Sequence, residues 1–279
     1  MITQSTVNVT KASGETEFFS GAKLMQSLMN AGASEQIANN ILQKIEQELF
    51  DGIHTKKIYR IAFALLKKER NVFALKYKLK KAIMEFGPTG YPFEKFIGQL
   101  FEKQGFGTEV GIVVKGHCLQ HEMDVIATQH TTQYIIECKY SQEQSKNVAI
   151  QVPLYVHSRV NDIIDYRMKL PEYEHMNFIT GIVTNTRFTT DSLQYGECKQ
   201  LHLIAWDYPA KGSLKELIER HKLYPITILN ALSKKEKQIL LNAGYITCTQ
   251  LVATNAWETE IELNSKKTAL VRKELEIVN

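Results

Sequence analysis

The chain lacks the features that would place it outside the cell or within a membrane. Its four cysteines, Cys118, Cys138, Cys198 and Cys248, are scattered and form no CxxC pair. That pattern reads as reduced thiols in a cytoplasmic protein, not as a disulfide framework. No run of about 18 apolar residues occurs, which excludes an ordinary membrane-spanning helix. The opening MITQSTVNVTKASGETEFF is polar and has no apolar core segment, so no secretory signal is expected. There is no GxxxxGK[ST], hence no P-loop and no sign of ATP hydrolysis, and no low-complexity tract. Charge of one sign is also in short supply. A net charge of +4 and a pI near 8.7 permit nucleic-acid binding without arguing for it. What is present is enough apolar residue for real cores, 44%, spread over 279 residues, so two or three domains are expected.

Three segments emerge along the chain. Residues 1–86 open with short β-type stretches around Val7-Val9 and Thr16-Phe19, separated by a turn at Ser13-Gly14. Helical periodicity follows: Leu24, Leu28 and Met29 on one face; Ile37, Ile41 and Ile45; Ile58, Ala62, Leu65 and Leu66; then Val72 to Ile83. Gly87-Pro88-Thr89-Gly90-Tyr91-Pro92 punctuates the chain and marks a boundary. In residues 91–210, Phe93, Phe96, Ile97, Leu100 and Phe101 predict an amphipathic helix. Strands are predicted at Glu109–Val114, His121–Thr128 and Gln133–Cys138, and a helix over Val152, Val156, Val160 and Ile163. A strand at Asn177–Thr184, a polar helix from Thr190 and a strand at Leu201–Trp206 complete a mixed sheet with flanking helices. Residues 223–279 are helical again, with a turn at Asn242-Ala243-Gly244. The expected class is therefore α/β in the α+β sense.

The chemistry concentrates in His121-Glu122-Met123-Asp124-Val125-Ile126-Ala127 and Tyr134-Ile135-Ile136-Glu137-Cys138-Lys139. Alternation along a strand puts Glu137 and Lys139 on one face. Asp124 sits among apolar neighbours, where a carboxylate is costly without a metal or a hydrogen-bonded partner. If the two strands form a hairpin, Asp124 and Glu137 can share one divalent cation, and hard oxygen ligands suit magnesium or manganese. Such an ion neutralises phosphoryl oxygens and activates water, as phosphodiester hydrolysis requires. Lys139 could orient or deprotonate that water or stabilise charge developing on the phosphate, and the electrostatic role is favoured.

This Asp…Glu-x-Lys arrangement is similar to the core of the PD-(D/E)xK nuclease superfamily, and its surroundings resemble the Mrr-like restriction endonucleases. Pro92-Phe93-Glu94-Lys95-Phe96 is similar to that family's helix with a Phe-Glu pair before the sheet. Gln151-Val152-Pro153-Leu154-Tyr155 is similar to its next helix, which begins with Gln. Met123 stands where the family often has Pro. The resemblance implies a five-residue site of Glu94, Asp124, Glu137, Lys139 and Gln151. Glu94 would be a helix-borne carboxylate near the metal, and Gln151 would face the scissile phosphate. It implies a Mg- or Mn-dependent endonuclease acting on DNA, in bacterial defence or DNA processing. The alternative is a catalytically silent nuclease fold that binds nucleic acid. Glu122 is read as a solvated or outer group.

At the N-terminus, Val9-Thr10-Lys11-Ala12-Ser13-Gly14 and Glu17-Phe18-Phe19-Ser20-Gly21-Ala22-Lys23-Leu24 resemble the ATP-cone domain, the nucleotide-sensing module of ribonucleotide reductases. Gly52-Ile53-His54-Thr55-Lys56-Lys57-Ile58-Tyr59 is similar to its second signature, and the likeness spans residues 5–86. It implies a site for ATP or dATP comprising Val9, Lys11, Gly14, Glu17, Lys23 and Thr55. Lys11 and Lys23 would contact phosphates, Glu17 would sit near the nucleotide, and Thr55 would help line the pocket. Tyr59 and Ser20 depart from the family's usual residues. Two lysines near a glycine turn and a helix start are chemically suited to a triphosphate. Such domains act by changing association, so a nucleotide-dependent homo-oligomer is expected.

Other features carry less. Gly105-Phe106-Gly107 reads as a turn, and His117, Cys118 and His121 lack the further ligands a zinc site needs. Lys76, Lys78, Lys80 and Lys81, with Tyr77 between them, read as a solvated helix face or a track for a phosphate backbone. Leu232 to Thr247 has the cadence of a helix-hairpin-helix repeat, with Asn264 standing where a second copy needs a left-handed residue. A plain helical module fits the same residues.

Overall fold

The computed structural model describes residues 7–11, 14–69 and 71–278, and the architecture is mixed α/β. The chain forms two compact units. The first takes the chain up to Ala82 with Ile228–Leu232 and Asn264–Val278, and the second takes Ile83–Thr227 with Ser233–Leu263. Residues 223–279 are thereby divided between the two. Among the described residues no helix is long and apolar enough to cross a membrane.

The first unit begins with β1 (Asn8–Thr10) and β2 (Thr16–Phe18), which pair antiparallel. Helices α1 (Gly21–Asn30) and α2 (Glu35–Glu46) follow. Ser20 and Ser34 cap them, accepting from the Lys23 and Ile37 amides at 3.2 and 3.3 Å and so satisfying donors that a helix start leaves open. Strand β3 (Ile53–His54) pairs parallel with β1, giving the order β2-β1-β3, and leads straight into α3 (Thr55–Glu69). Helices α4 (Asn71–Tyr77) and α5 (Leu79–Met84) come next. Val9, Leu24, Leu28, Ile41, Ile45, Ile53, Ile58, Ala62 and Leu66 form the core.

Two expectations need correction here. Met29 is exposed and Met25 is buried in its place, because Met29 lies about 100° further round the helix than Leu28. The single stripe expected from Val72 to Ile83 is broken into α4 and α5 at Lys78, and the Val72 side chain lies outside the described residues. Ser13 of the expected turn lies outside them as well, while Gly14 has a left-handed φ of 87°.

The second unit opens on α6 (Tyr91–Glu102), with Pro92 in its first turn and Phe93, Phe96, Ile97, Leu100 and Phe101 buried. Strands β4 (Gly107–Lys115), β5 (Gln120–Gln129) and β6 (Thr132–Lys139) form an antiparallel meander. A two-residue turn with His130 at φ 50° joins β5 to β6 and sets their register. The chain continues through β7 (Asn147–Val148), α7 (Gln151–Arg167), β8 (Asn177–Thr184), β9 (Arg187–Phe188), α8 (Thr190–Cys198) and β10 (His202–Ile204). The main sheet has the order β10-β8-β6-β5-β4, with β8 parallel to both β6 and β10. Val156, Val160 and Ile163 of α7 pack on Ile126, Ile135, Ile182 and Leu203. Elsewhere in the sheet Tyr134 meets Phe101 of α6.

Helix α9 (Leu214–Arg220) lies in a stretch assigned to no element from the sequence, capped by Ser213. Helices α10 (Lys234–Asn242), α11 (Cys248–Ala253) and α12 (Trp257–Glu260) follow, and α13 (Ser265–Val278) packs with α4 in the first unit. Buried Glu274 of α13 accepts from the amides of Asn230 and Ala231 at 2.7 and 3.0 Å. The predicted turn before α11 is present, with Gly244 at φ 92°. Asn264 is not left-handed. Its side chain instead accepts from the Lys267 amide at 2.9 Å, starting α13, so the second hairpin lacks the left-handed turn of the first.

Candidate carboxylate centre

Asp124 stands where regular pairing lapses on both sides of β5. Toward β4 the register passes from Val110–Val125 to Ile112–Met123, skipping Gly111, whose φ is 65°. Val110 and Ile112, two residues apart, pack on different elements: Val110 against Gly98 of α6, Ile112 in the cluster under α7. Gly111 thus turns the strand over opposite Asp124, in a left-handed conformation that favours glycine. Toward β6 the pairing ends at Val125–Ile136. There the Asp124 carboxylate takes the place of a backbone acceptor, receiving the Cys138 N–H at 2.6 Å.

Glu137 is buried, and both its oxygens are occupied. Lys139 Nζ lies 2.6 Å from Oε1, and Arg159 Nη1 donates to Oε2 at 2.9 Å. Arg159 also donates to the Glu122 backbone carbonyl and lies 5.0 Å from the centre of the Tyr155 ring. The backbone behind the site is fixed by Thr184, whose hydroxyl donates to the Lys139 carbonyl at 2.6 Å. Asn185 and Ser141 exchange two hydrogen bonds at 2.7 and 2.9 Å.

Glu94 projects from the first turn of α6 over Gly90, where an added Cβ would meet its Oε1 at 3.1 Å. Burial, then the charges of Asp124, Glu122 and Glu137, push its carboxyl up to about 7. Burial and Glu137 push Asp124 up to about 6, against the opposing Cys138 N–H and the Lys139 and Arg159 charges. Burial followed by Asp124, Glu94 and Glu137 raises the Cys138 thiol well above its ordinary value. Carboxyls displaced upward together signal negative charge gathered in a poorly solvated place.

The structure therefore brings Glu94, Asp124, Glu137 and Lys139 into mutual electrostatic range. Gln151 is the first residue of α7, exposed, and no hydrogen bond ties it to the other four among the described residues. Sequence reasoning missed Arg159. It lies two helical turns beyond Gln151 and one beyond Tyr155 on a helix already predicted, a placement that does not by itself tell it from a solvated arginine. Among the described residues no three His, Cys, Asp or Glu side chains converge as a ready-made metal cage. The donor set fits a hard divalent ion that takes one or two carboxylates and keeps several waters. Asp124 and Glu137 are the residues that would hold it.

Cys118 and His121 have a different task. The amides of Cys118 and Leu119 donate to the Asp162 carboxylate at 2.8 and 3.4 Å, and His121 Nε2 lies 2.7 Å from Oδ2. Asp162, on α7, thereby clamps the loop between β4 and β5. The His121 contact and then the backbone donors hold its carboxyl below the usual carboxylate range.

In the first unit, Lys11, Glu17 and Lys23 also meet. Glu17 lies 3.0 Å from Lys11 Nζ and 3.4 Å from Lys23 Nζ, so it bridges the two lysines. Lys11 lowers the Glu17 carboxyl and is itself raised by it. Val9 is buried in β1. Thr55 begins α3, one residue past the Thr10–His54 pair, so Lys11 and Thr55 leave the sheet at the same end. Gly14 has open space where a Cβ would be.

The comparisons with known proteins agree on a family and stop short of an activity. A family model described as AF1548-like, C-terminal, matches residues 224–278. A protein of Archaeoglobus fulgidus described as uncharacterized is 31% identical over 172 residues, covering 61% of this chain and 92% of its own. The crystal structure of AF1548, a protein of unknown function, is similar at a TM-score of 0.55 and 30% identity, over 68% of this chain and 98% of that one. The MspJI restriction endonuclease in complex with a 27-mer oligonucleotide reaches a TM-score of only 0.31 at 10% identity, over 71% of this chain and 39% of that one, too little to bear on function. The chain belongs to the AF1548-like family.

Proposed function

We propose that the chain is a metal-dependent DNA endonuclease whose centre is Asp124, Glu137 and Lys139 with Glu94. The observation that carries this reading is the gathering of Glu94, Asp124, buried Glu137 and Lys139 around a single broken place in the sheet, with the Glu94 and Asp124 carboxyls pushed upward by burial and by their neighbours' charge. Each such carboxylate costs free energy when charged and buried, and a cation bound among them would offset that cost. A bound magnesium or manganese ion would supply charge neutralisation at the phosphoryl oxygens and an activated water. Asp124 and Glu137 would hold it. The Lys139 ammonium would meet negative charge developing on the phosphate, and Gln151, at the exposed start of α7, would face the strand being cut.

The N-terminal cluster is read as a regulatory site for ATP or dATP, with Lys11 and Lys23 toward the phosphates and Val9, Gly14, Glu17 and Thr55 around the nucleotide. In this reading nucleotide changes the association of the chain with itself and so the access of DNA to the centre. Sedimentation profiles that are identical with and without ATP or dATP would end it.

The test of catalysis is cleavage of methylated and unmethylated plasmid with magnesium or manganese, with and without ATP. Nicking or linearisation is expected only with the metal, and Asp124→Ala abolishes it. Equal behaviour of the two proteins would sink the enzyme reading. A second reading, a silent nuclease fold that only binds nucleic acid, is favoured by the occupation of both Glu137 oxygens by Lys139 and Arg159. It predicts DNA binding without metal dependence.

A further inference from the structure

Glu137 cannot accept a cation without surrendering one of its two partners, and those partners are held very differently. Lys139 contributes one contact to the site, its side chain is 36% exposed, and its four-carbon stem can withdraw by rotation alone. Arg159 is 15% exposed and is fixed by the Glu137 oxygen, the Glu122 carbonyl and the Tyr155 ring. It also springs from the middle of α7, whose Val156 and Val160 are buried on the sheet on either side of it. Moving Arg159 breaks three contacts, and moving Lys139 breaks one.

We propose that Arg159 is a positioning residue of this centre: it retains Glu137 Oε2 and so obliges an incoming divalent cation to take Oε1, displacing Lys139. The inference rests on the reading of Asp124 and Glu137 as metal ligands and assigns the order of events there. In the metal-free protein the two cations keep buried Glu137 neutralised. When an ion binds, Lys139 loses its carboxylate and its ammonium becomes available to an anionic phosphate. Arg159 keeps the Glu137 carboxyl from rotating and from binding through both oxygens. Arginine suits this task because its planar fork serves the carboxylate and a carbonyl together, which a lysine ammonium does with less geometric control.

The experiment is a double-mutant cycle on Mn2+ affinity, measured by calorimetry on the full chain without DNA. With Arg159 in place, Lys139→Met removes the group the ion must displace, and Mn2+ binds about fivefold tighter, the size of one partly exposed ion pair. In the Arg159→Met background Oε2 is open, nothing need be displaced, and Lys139→Met changes affinity little. Arg159→Lys restores a cation at Oε2 and recovers most of the Lys139→Met gain, which a purely structural role for Arg159 would not do. If Arg159→Met does not fold, Tyr155→Ala replaces it, since Tyr155 is exposed and its loss loosens the guanidinium. The gain must then shrink. Equal gains in both backgrounds, or a gain only when Arg159 is absent, overturn the proposal while leaving the metal site standing. Absence of Mn2+ binding by the unaltered protein overturns both.

Discussion

Replacing Glu94 with Gln removes a charge that the folded chain accommodates poorly, and the size of the effect follows from its surroundings. Burial and the charges of Asp124, Glu122 and Glu137 hold the carboxyl at about 7 against an ordinary 4.5. The folded chain therefore binds that proton more tightly than the unfolded chain does. The resulting stabilisation is complete below pH 4.5 and is lost as pH rises through about 7. At about 1.36 kcal/mol per unit, the displacement sets a ceiling of roughly 3 kcal/mol, and water at a half-buried side chain reduces it to about 1.5–2 kcal/mol. Gln has nearly the same volume and no charge. Glu94→Gln should thus raise stability at pH 8 by that amount, roughly 3–8 °C in the midpoint, and leave it unchanged at pH 4. The two tryptophans, Trp206 and Trp257, both lie in the second unit, so fluorescence-detected unfolding in EDTA reads the unit that carries Glu94. Saturating Mg2+ or Mn2+ should shrink the gain, because a nearby cation makes the Glu94 charge favourable. A variant less stable than the parent at pH 8, or a gain of equal size at both pH values, would refute the reasoning.

Two further outcomes test other parts of the molecule. Gly116→Ala places a Cβ 2.1 Å from Asp162 Oδ2 and 2.7 Å from the Leu119 carbonyl, so the clamp on the β4–β5 loop must open. Urea unfolding followed by tryptophan fluorescence should show a loss of about 2–4 kcal/mol, and an unchanged midpoint would mean the clamp does not hold the loop. Glu17→Gln removes the carboxylate that bridges Lys11 and Lys23. If those lysines meet a triphosphate, a fluorescent ATP analogue should bind several-fold tighter to the variant, whereas weaker binding would show that Glu17 itself contacts the nucleotide.

The helices and strands of both units were largely legible, because single-face burial leaves a period in the sequence. Ile41 and Ile45 on α2, and Val156, Val160 and Ile163 on α7, repeat as their helices require and are all buried. The hairpin of β5 and β6 was legible from two strand patterns separated by a short polar break. What was not legible depends on contacts distant in sequence. The small parallel pair of β7 and β9 and the packing of α13 with α4 have no local periodicity to announce them. Helix α9 was missed although Ser213 with Glu216 three residues later is a recognisable start signal.

The candidate site divides along the same line. A carboxylate inside an apolar strand is conspicuous in sequence, because its cost must be met by something, and that marks Asp124, while the Glu-x-Lys alternation marks Glu137 with Lys139. A counter-charge leaves no such trace. Arg159 sits on an amphipathic helix where an arginine reads as a solvated residue, and only the packing of α7 on the sheet brings it to Glu137. Glu137 is paired with two cations in the metal-free protein, and the carboxyls of Glu94 and Asp124 are pushed upward by burial and neighbouring charge. A divalent ion binding between Asp124 and Glu137 would relieve the first of these carboxylates and disturb the second. The gain at Asp124 and Glu94 is then what offsets the release of Lys139, so metal affinity should rise with pH as these two carboxyls ionise through about 6 and about 7.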